Sequence, residues 1–169
     1  QSILNLINDE NLYGEIDAMI ALCNPSIQKS DFPIYTTGHS LGAGLSQLFM
    51  ESLKESNYNF CGAYHFAPPL AVSKIEEAHM KATFGNIVYD IINYKDYVPR
   101  AGRMSTAHFG KFYRIHENGK IYKEEEKYFK FRWWEHYKEL KLHKMENHLF
   151  AVKNGINTAS KIMNRSTLV

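Results

Sequence analysis

The chain has 169 residues, of which 44% are hydrophobic and 22% charged, and its formal net charge is +2. That length suits one domain with a sizeable core and is short for two. The near-balanced charge gives no reason to expect a nucleic-acid partner, and no apolar run approaches the roughly 20 residues that cross a bilayer.

The first residues, "QSILNLINDENLYGE", lack the basic and apolar segments of a signal peptide. Opening on Gln1, the chain reads as a processed or truncated start, which leaves its compartment undetermined. Around residues 13 to 24, Tyr13, Ile16, Met19, Ile20 and Cys23 recur at helical spacing, and "NPSIQKSD" ends the pattern. "FPIYTT" is short, apolar and β-branched and reads as a buried strand. From Leu41 onward, Leu45, Leu48, Phe49 and Leu53 mark a helix. "NFCGAYHF" is a second strand, stopped by Pro68 and Pro69. "AVSKIEEAHMKA" reads as a helix with Val72, Ile75 and His79 on one stripe, and "NIVYDIINY" as a third strand. "KFYRIHENGKIYK" alternates about Asn118-Gly119, a strong hairpin signal.

The stretch from Glu124 to Leu142 mixes aromatics with charges. We read it as a helix packing its aromatic rings on the sheet and solvating its charges, with contact at a membrane interface, or the wall of an acyl pocket, as the functional alternative. From Met145 to Met163 the pattern is helical, with Met145, Leu149, Val152, Ile156, Ala159 and Met163 on one face. Cys23 and Cys61 make neither a disulfide framework nor a zinc pattern and are expected as small buried residues. Strands alternating with helices predict an α/β fold, a mostly parallel sheet flanked by helices, with the hairpin adding antiparallel strands at one edge.

Gly38-His39-Ser40-Leu41-Gly42 matches G-x-S-x-G, and it lies where that motif acquires meaning, between an apolar strand and an amphipathic helix. A sharp strand-to-helix turn exposes the serine hydroxyl, and the two glycines let neighbouring backbone pass closely. The helix start stabilises negative charge, so the Leu41 N–H is a natural oxyanion donor. A serine hydroxyl needs a base, and the base needs an acid to orient it, in the chain order Ser, Asp or Glu, His. Asp96 follows the third strand in a loop and is preferred to Asp90, which lies inside that strand. Chain order removes His39, His65 and His79. His143, on the approach to the last helix, is preferred to His148 within its first turns. No histidine pair has convincing metal spacing, so neither a metal nor another cofactor is expected.

These segments together resemble the fungal-type, or class 3, lipases of the α/β-hydrolase superfamily. "TTGHSLGAGLSQL" is similar to their nucleophile elbow, "INYKDYVPR" to their acid segment, "HFGKFY" to the His-x-Gly region and "HKMENHLFAV" to the catalytic-histidine segment. The likeness runs from about residue 15 to the end. It puts His143 on the catalytic histidine and His148 on a position usually aromatic. It implies a serine hydrolase of carboxylic esters, typically acylglycerols, with Ser40 attacking, His143 transferring the proton and Asp96 holding the imidazolium. The alternatives are a catalytically silent binding or scaffold protein and a phospholipid or short acyl ester as substrate.

One departure stands out. The family's long segment before the nucleophile strand, with an "F-R-G-T"-like motif that supplies a second oxyanion donor, has no match between Gln1 and Pro33. The chain is thus expected to be the C-terminal portion of a single hydrolase domain. The missing neighbour of the "PIYTT" strand would then come from an upstream fragment, a second chain or an exchanged element, since an exposed apolar edge is a liability.

Overall fold

The computed structural model describes residues 10–93, 96, 98–100, 106–116, 118–124 and 143–154. Their elements are α1 (Glu10–Cys23), β1 (Pro33–His39), α2 (Leu41–Glu55), β2 (Asn59–Phe66), β3 (Val72–Ser73), α3 (Glu77–Phe84) and β4 (Val88–Asn93). After a single 3₁₀ turn come β5 (Thr106–Ala107), β6 (Lys111–Ile115) and β7 (Ile121–Glu124), and a helix, α4, spans residues 145–154. The main sheet has the order β1-β2-β4-β6-β7. β1, β2, β4 and β6 run parallel and only β7 is antiparallel. The expected hairpin at one edge is β6–β7, antiparallel, with β6 also pairing along β4 as a further parallel strand. β3 and β5 form a separate antiparallel pair.

One face of the sheet is the core. Ala63, His65, Val88, Asp90, Ile92 and Phe112 alternate inward and are buried, as a period of two requires. Met50 from α2 and Met80 and Phe84 from α3 pack with Ala63, Val88 and Phe109. A second cluster joins α1 to α2 through Ile20, Leu53 and Tyr58, with Tyr13 and Ile16 against it. Tyr64, Tyr89 and Tyr113 project to the opposite face and stack across three neighbouring strands, with ring centroids 5.3 and 6.2 Å apart. α2 ends as a Schellman-type turn: Tyr58 N–H reaches back to Leu53 O, Asn57 N–H to Lys54 O, and Asn57 takes the left-handed φ of 62° that asparagine tolerates.

Four local expectations need correction. The helix read over 71–82 begins at Glu77, and Val72–Ser73 is the strand β3. Between them Ser73 Oγ donates to Glu76 Oε2 at 2.7 Å while Glu76 N–H donates to Ser73 Oγ, a local side-chain turn that precedes the helix. Ile75 is then 93% exposed, and Met80 and Phe84 face inward in place of His79. Met19 and Cys23 lie off the buried stripe of α1, and Cys61 is half-buried rather than buried. On α4 the inward side chains are His148 and Ala151, whereas Leu149 is exposed. The hairpin itself closes with His116 N–H on Lys120 O and Gly119 at φ 77°. The aromatic stretch from Glu124 to Leu142 and the tail beyond residue 154 lie outside the described residues, apart from Glu124 itself at the end of β7.

Candidate active site

The site collects at the carboxyl ends of β1 and β4, where open parallel sheets place their ligands. β1 runs two residues past the predicted strand, through Gly38 and His39, and α2 starts at Leu41. Ser40 is the hinge between them, with φ 57° and ψ −125°. A side chain rarely adopts that conformation, which costs of order 1–3 kcal/mol and persists only when its surroundings impose it. Here they do. Ser40 N–H donates to Phe66 O at the end of β2, while Ser40 O accepts from Ala43 and Gly44 at the start of α2. Gly38 is obligatory, because a Cβ there would lie 2.5 Å from the Gly42 carbonyl and 2.6 Å from Ala43 N. Gly42 is different. Nothing outside its own helix comes within 4 Å of a Cβ at that position, so close backbone passage, expected at both glycines, applies to the first alone.

Ser40 Oγ does not cap its helix. It lies 2.6 Å from His143 Nε2, and His143 Nδ1 lies 2.9 Å from Asp96 Oδ2. The three preferred residues thus form one hydrogen-bonded line, although 103 positions separate the serine from the histidine. Since the carboxylate accepts from Nδ1–H, Nε2 is left to accept the serine proton. Leu41 N–H opens α2 with no preceding turn to receive it, which leaves a donor free beside the hydroxyl. Asp96 sits three residues after β4, its N–H on Asn93 O, and its Oδ1 accepts Val98 N–H at 2.9 Å. Burial alone would push its carboxyl up. Contacts from His148 and His143 and the Val98 N–H outweigh that and hold it below its ordinary 3.8.

His39 braces the same line. Its Nε2–H donates to His143 O at 2.7 Å, and the two rings stack with centroids 4.8 Å apart. Burial, chiefly, lowers the pKa of His39 below 6.5, so a neutral ring serves as donor. The segment carrying His143 is therefore fastened directly to the elbow. The first x of G-x-S-x-G had no assigned role in the sequence; a histidine there next to a serine was the only signal. His148, second choice for the base, faces the same carboxylate oxygen as His143, with Nε2 3.4 Å from Asp96 Oδ2.

Asp90 belongs to a different array. It is fully buried and pairs with His65 Nδ1 at 3.0 Å; His65 Nε2 meets Ser46 Oγ at 2.9 Å, and Ser46 Oγ donates to Thr36 Oγ1 at 2.7 Å. This second serine, histidine and aspartate set lies inside the sheet–helix interface. Ser46 is in mid-helix, far from the helix start, with no left-handed turn to expose it. The strand register brings the pair together, since His65 stands opposite Asp90. Two ionisable residues on otherwise apolar strands were the trace it left in the sequence.

Three comparisons bear on this arrangement. The family described as "Lipase (class 3)" matches residues 6–105. A search among curated proteins finds no match. Among solved structures, the chain is similar to one described as a fungal lipase, with 23% identity, a TM-score of 0.52, and 66% of this chain and 39% of that one covered. A lipase from Rhizopus microsporus var. chinensis has 18% identity and a TM-score of 0.51 over 68% of this chain and 39% of its own. The triacylglyceride lipase of Rhizomucor miehei has 21% identity and a TM-score of 0.50 over 67% and 43%. The chain thus spans about two-fifths of the length of the structures it matches. At these identities they establish the fold, an α/β-hydrolase-like parallel sheet with flanking helices. The family match covers more than half of the sequence, elbow included, and on that ground the chain belongs to the class 3 lipase family.

Proposed function

We propose that the chain carries the catalytic residues of a carboxylic ester hydrolase, most simply an acylglycerol lipase or esterase, within what is the C-terminal portion of one hydrolase domain. The observation that carries this reading is the unbroken line from a left-handed Ser40 through His143 to Asp96. Ser40 Oγ attacks the ester carbonyl as its proton passes to His143 Nε2, and Asp96 holds the resulting imidazolium. The oxyanion develops against Leu41 N–H and the positive end of α2. His143 then hands the proton to the leaving alcohol, and water, deprotonated by the same imidazole, releases the acid.

An apolar acyl group suits the neighbourhood. Leu41 is 63% exposed directly beside Ser40, and Leu149 and Phe150 are exposed next to His148. The family name and the lipase titles of the similar structures support a lipid or ester substrate. At the other edge, β1 pairs only with β2 among the described residues and Tyr35 is 61% exposed. That supports a sheet continued by a strand from an upstream fragment or another chain, together with the second oxyanion donor.

A fluorophosphonate probe tests the chemistry. Labelling is expected at Ser40, abolished in Ser40→Ala and retained in Ser46→Ala, whose hydroxyl belongs to the buried array. Rates on p-nitrophenyl esters of increasing chain length then report the acyl preference. Absence of labelling at Ser40 in protein carrying its upstream segment rejects the hydrolase reading.

A further inference from the structure

His148 is 1% exposed, and among the described residues neither of its ring nitrogens makes a hydrogen bond. Leaving an imidazole buried and unbonded is expensive, so its surroundings need an account. Among the described residues, the titratable groups that face it are Asp96 from the loop after β4, His39 from the end of β1, and His143 on the approach to α4. The His39 ring meets it edge-on at 5.6 Å. Phe66, at the end of β2, meets it edge-on at 6.2 Å and supplies an apolar wall. Among the described residues its acceptor contact is Asp96 Oδ2 at 3.4 Å, the same oxygen that receives His143 Nδ1–H at 2.9 Å.

We propose that His148 is a positioning residue that shares Asp96 with His143 and tunes how readily His143 gives up its proton, which rests on the ester-hydrolase reading above. A bare nitrogen lone pair facing a carboxylate oxygen is repulsive, so Nε2 presents its N–H to Oδ2. The contact is long and off-line, hence electrostatic more than hydrogen-bonding. Even so, it draws carboxylate charge away from His143, and less negative charge on that side favours the neutral imidazole the serine needs. An apolar aromatic ring at this position would fill the space without that effect.

Two variants of the full chain separate donor from filler. His148→Phe keeps a ring of similar size without a donor, and His148→Gln keeps an N–H that reaches Asp96. His148→Met replaces the first if the Phe protein does not fold. The readouts are the pH profile of Ser40 labelling by a fluorophosphonate and the pH midpoint of the His143 ring signal by NMR. In His148→Phe, labelling near pH 6 is expected to fall about threefold relative to its plateau, with the plateau itself within about twofold and the NMR midpoint displaced to higher pH. His148→Gln is expected to follow the wild type in both. A Phe profile that superimposes on the wild type after scaling, or a Gln variant displaced as far as the Phe variant, overturns the proposal. If Ser40 is not labelled in any protein, the hydrolase reading fails. The NMR midpoint then decides the role of His148, with displacement in Phe alone supporting it and no displacement rejecting it.

Discussion

At the scale of single residues, Ser40 and Gly38 show what the elbow demands. Ser40 is held at a positive φ by backbone bonds on both sides, so its hydroxyl is free to meet His143 instead of capping the helix. Gly38→Ala would drive a methyl group into the Gly42 carbonyl 2.5 Å away, and backbone cannot step aside as a flexible side chain can. We expect that variant to lose at least about 2 kcal/mol of stability and nearly all labelling of Ser40; a urea midpoint and the probe check both. Gly42→Ala, with open space at its Cβ, is expected to fold normally. Asp96 makes a pH prediction. Its folded pKa lies below 3.8, so on acidification the unfolded chain takes up that proton first. The stability it contributes is fully present above 3.8 and is lost as the pH falls through the folded value. Asp96→Asn should therefore flatten the dependence of the urea midpoint below about pH 5 and reduce ester hydrolysis about 10³-fold or more, while leaving the protein folded at neutral pH.

Among the elements, β4 has two distinct duties. Its interior residue Asp90 closes the buried array with His65 and Ser46, and its tip leads to Asp96 over the rim. Removing one partner of a buried hydrogen-bonded pair is costly because the other is left unsatisfied, about 1–3 kcal/mol and more where that group is ionised, whereas replacing both with apolar residues can be near neutral. His65→Leu alone is thus expected to lower stability by several kcal/mol, and His65→Leu with Asp90→Leu to recover most of it; chemical denaturation of the two variants measures this. Gly110 adds to the tightness there, since a Cβ would lie 2.8 Å from Val88 Cγ1 and 3.0 Å from Asp90 Oδ2. Much of this level was readable. "FPIYTT", "NFCGAYHF" and "NIVYDIINY" are strands because short apolar runs bounded by Pro, Gly or polar residues bury both faces or one. What escaped was orientation and onset. Periodicity puts Leu149 on a stripe of α4 but does not say that the Asp96 loop draws His148 inward, and it cannot see that Ser73 and Glu76 close a turn before α3 begins.

For the molecule as a whole, the order Ser40, Asp96, His143 along the chain and the parallel sheet together dictate that three distant residues meet above one edge. That much follows from strand–turn–helix logic, and the resemblance of the four segments to class 3 lipases led in the same direction. Chain order could not supply the bracing of His143 by His39 or the sharing of Asp96 by a second imidazole, since both depend on how the last helix docks. β1, with Tyr35 exposed and Thr36 and Ser46 lining a cavity of about 470 Å³ beside it, is the least finished side of the sheet. Backbone amides along β1 are expected to exchange with solvent faster than those of β2 and β4, and to become protected once an upstream segment is supplied. Hydrogen exchange with and without that segment measures the difference.

The two serine–histidine–aspartate sets share one chain, one sheet and nearly the same distances, yet the imidazole of one is fully buried and that of the other is partly open. In both, an Nδ1–H points at a carboxylate, with side-chain exposures of 0% at His65 and 17% at His143. After transfer to heavy water the His65 proton should outlive its counterpart at His143, whose lifetime is set by the mouth of the site. The fold thereby carries a buried counterpart of the His143 imidazole, an internal standard against which any tightening around His143 on adding a ligand can be timed.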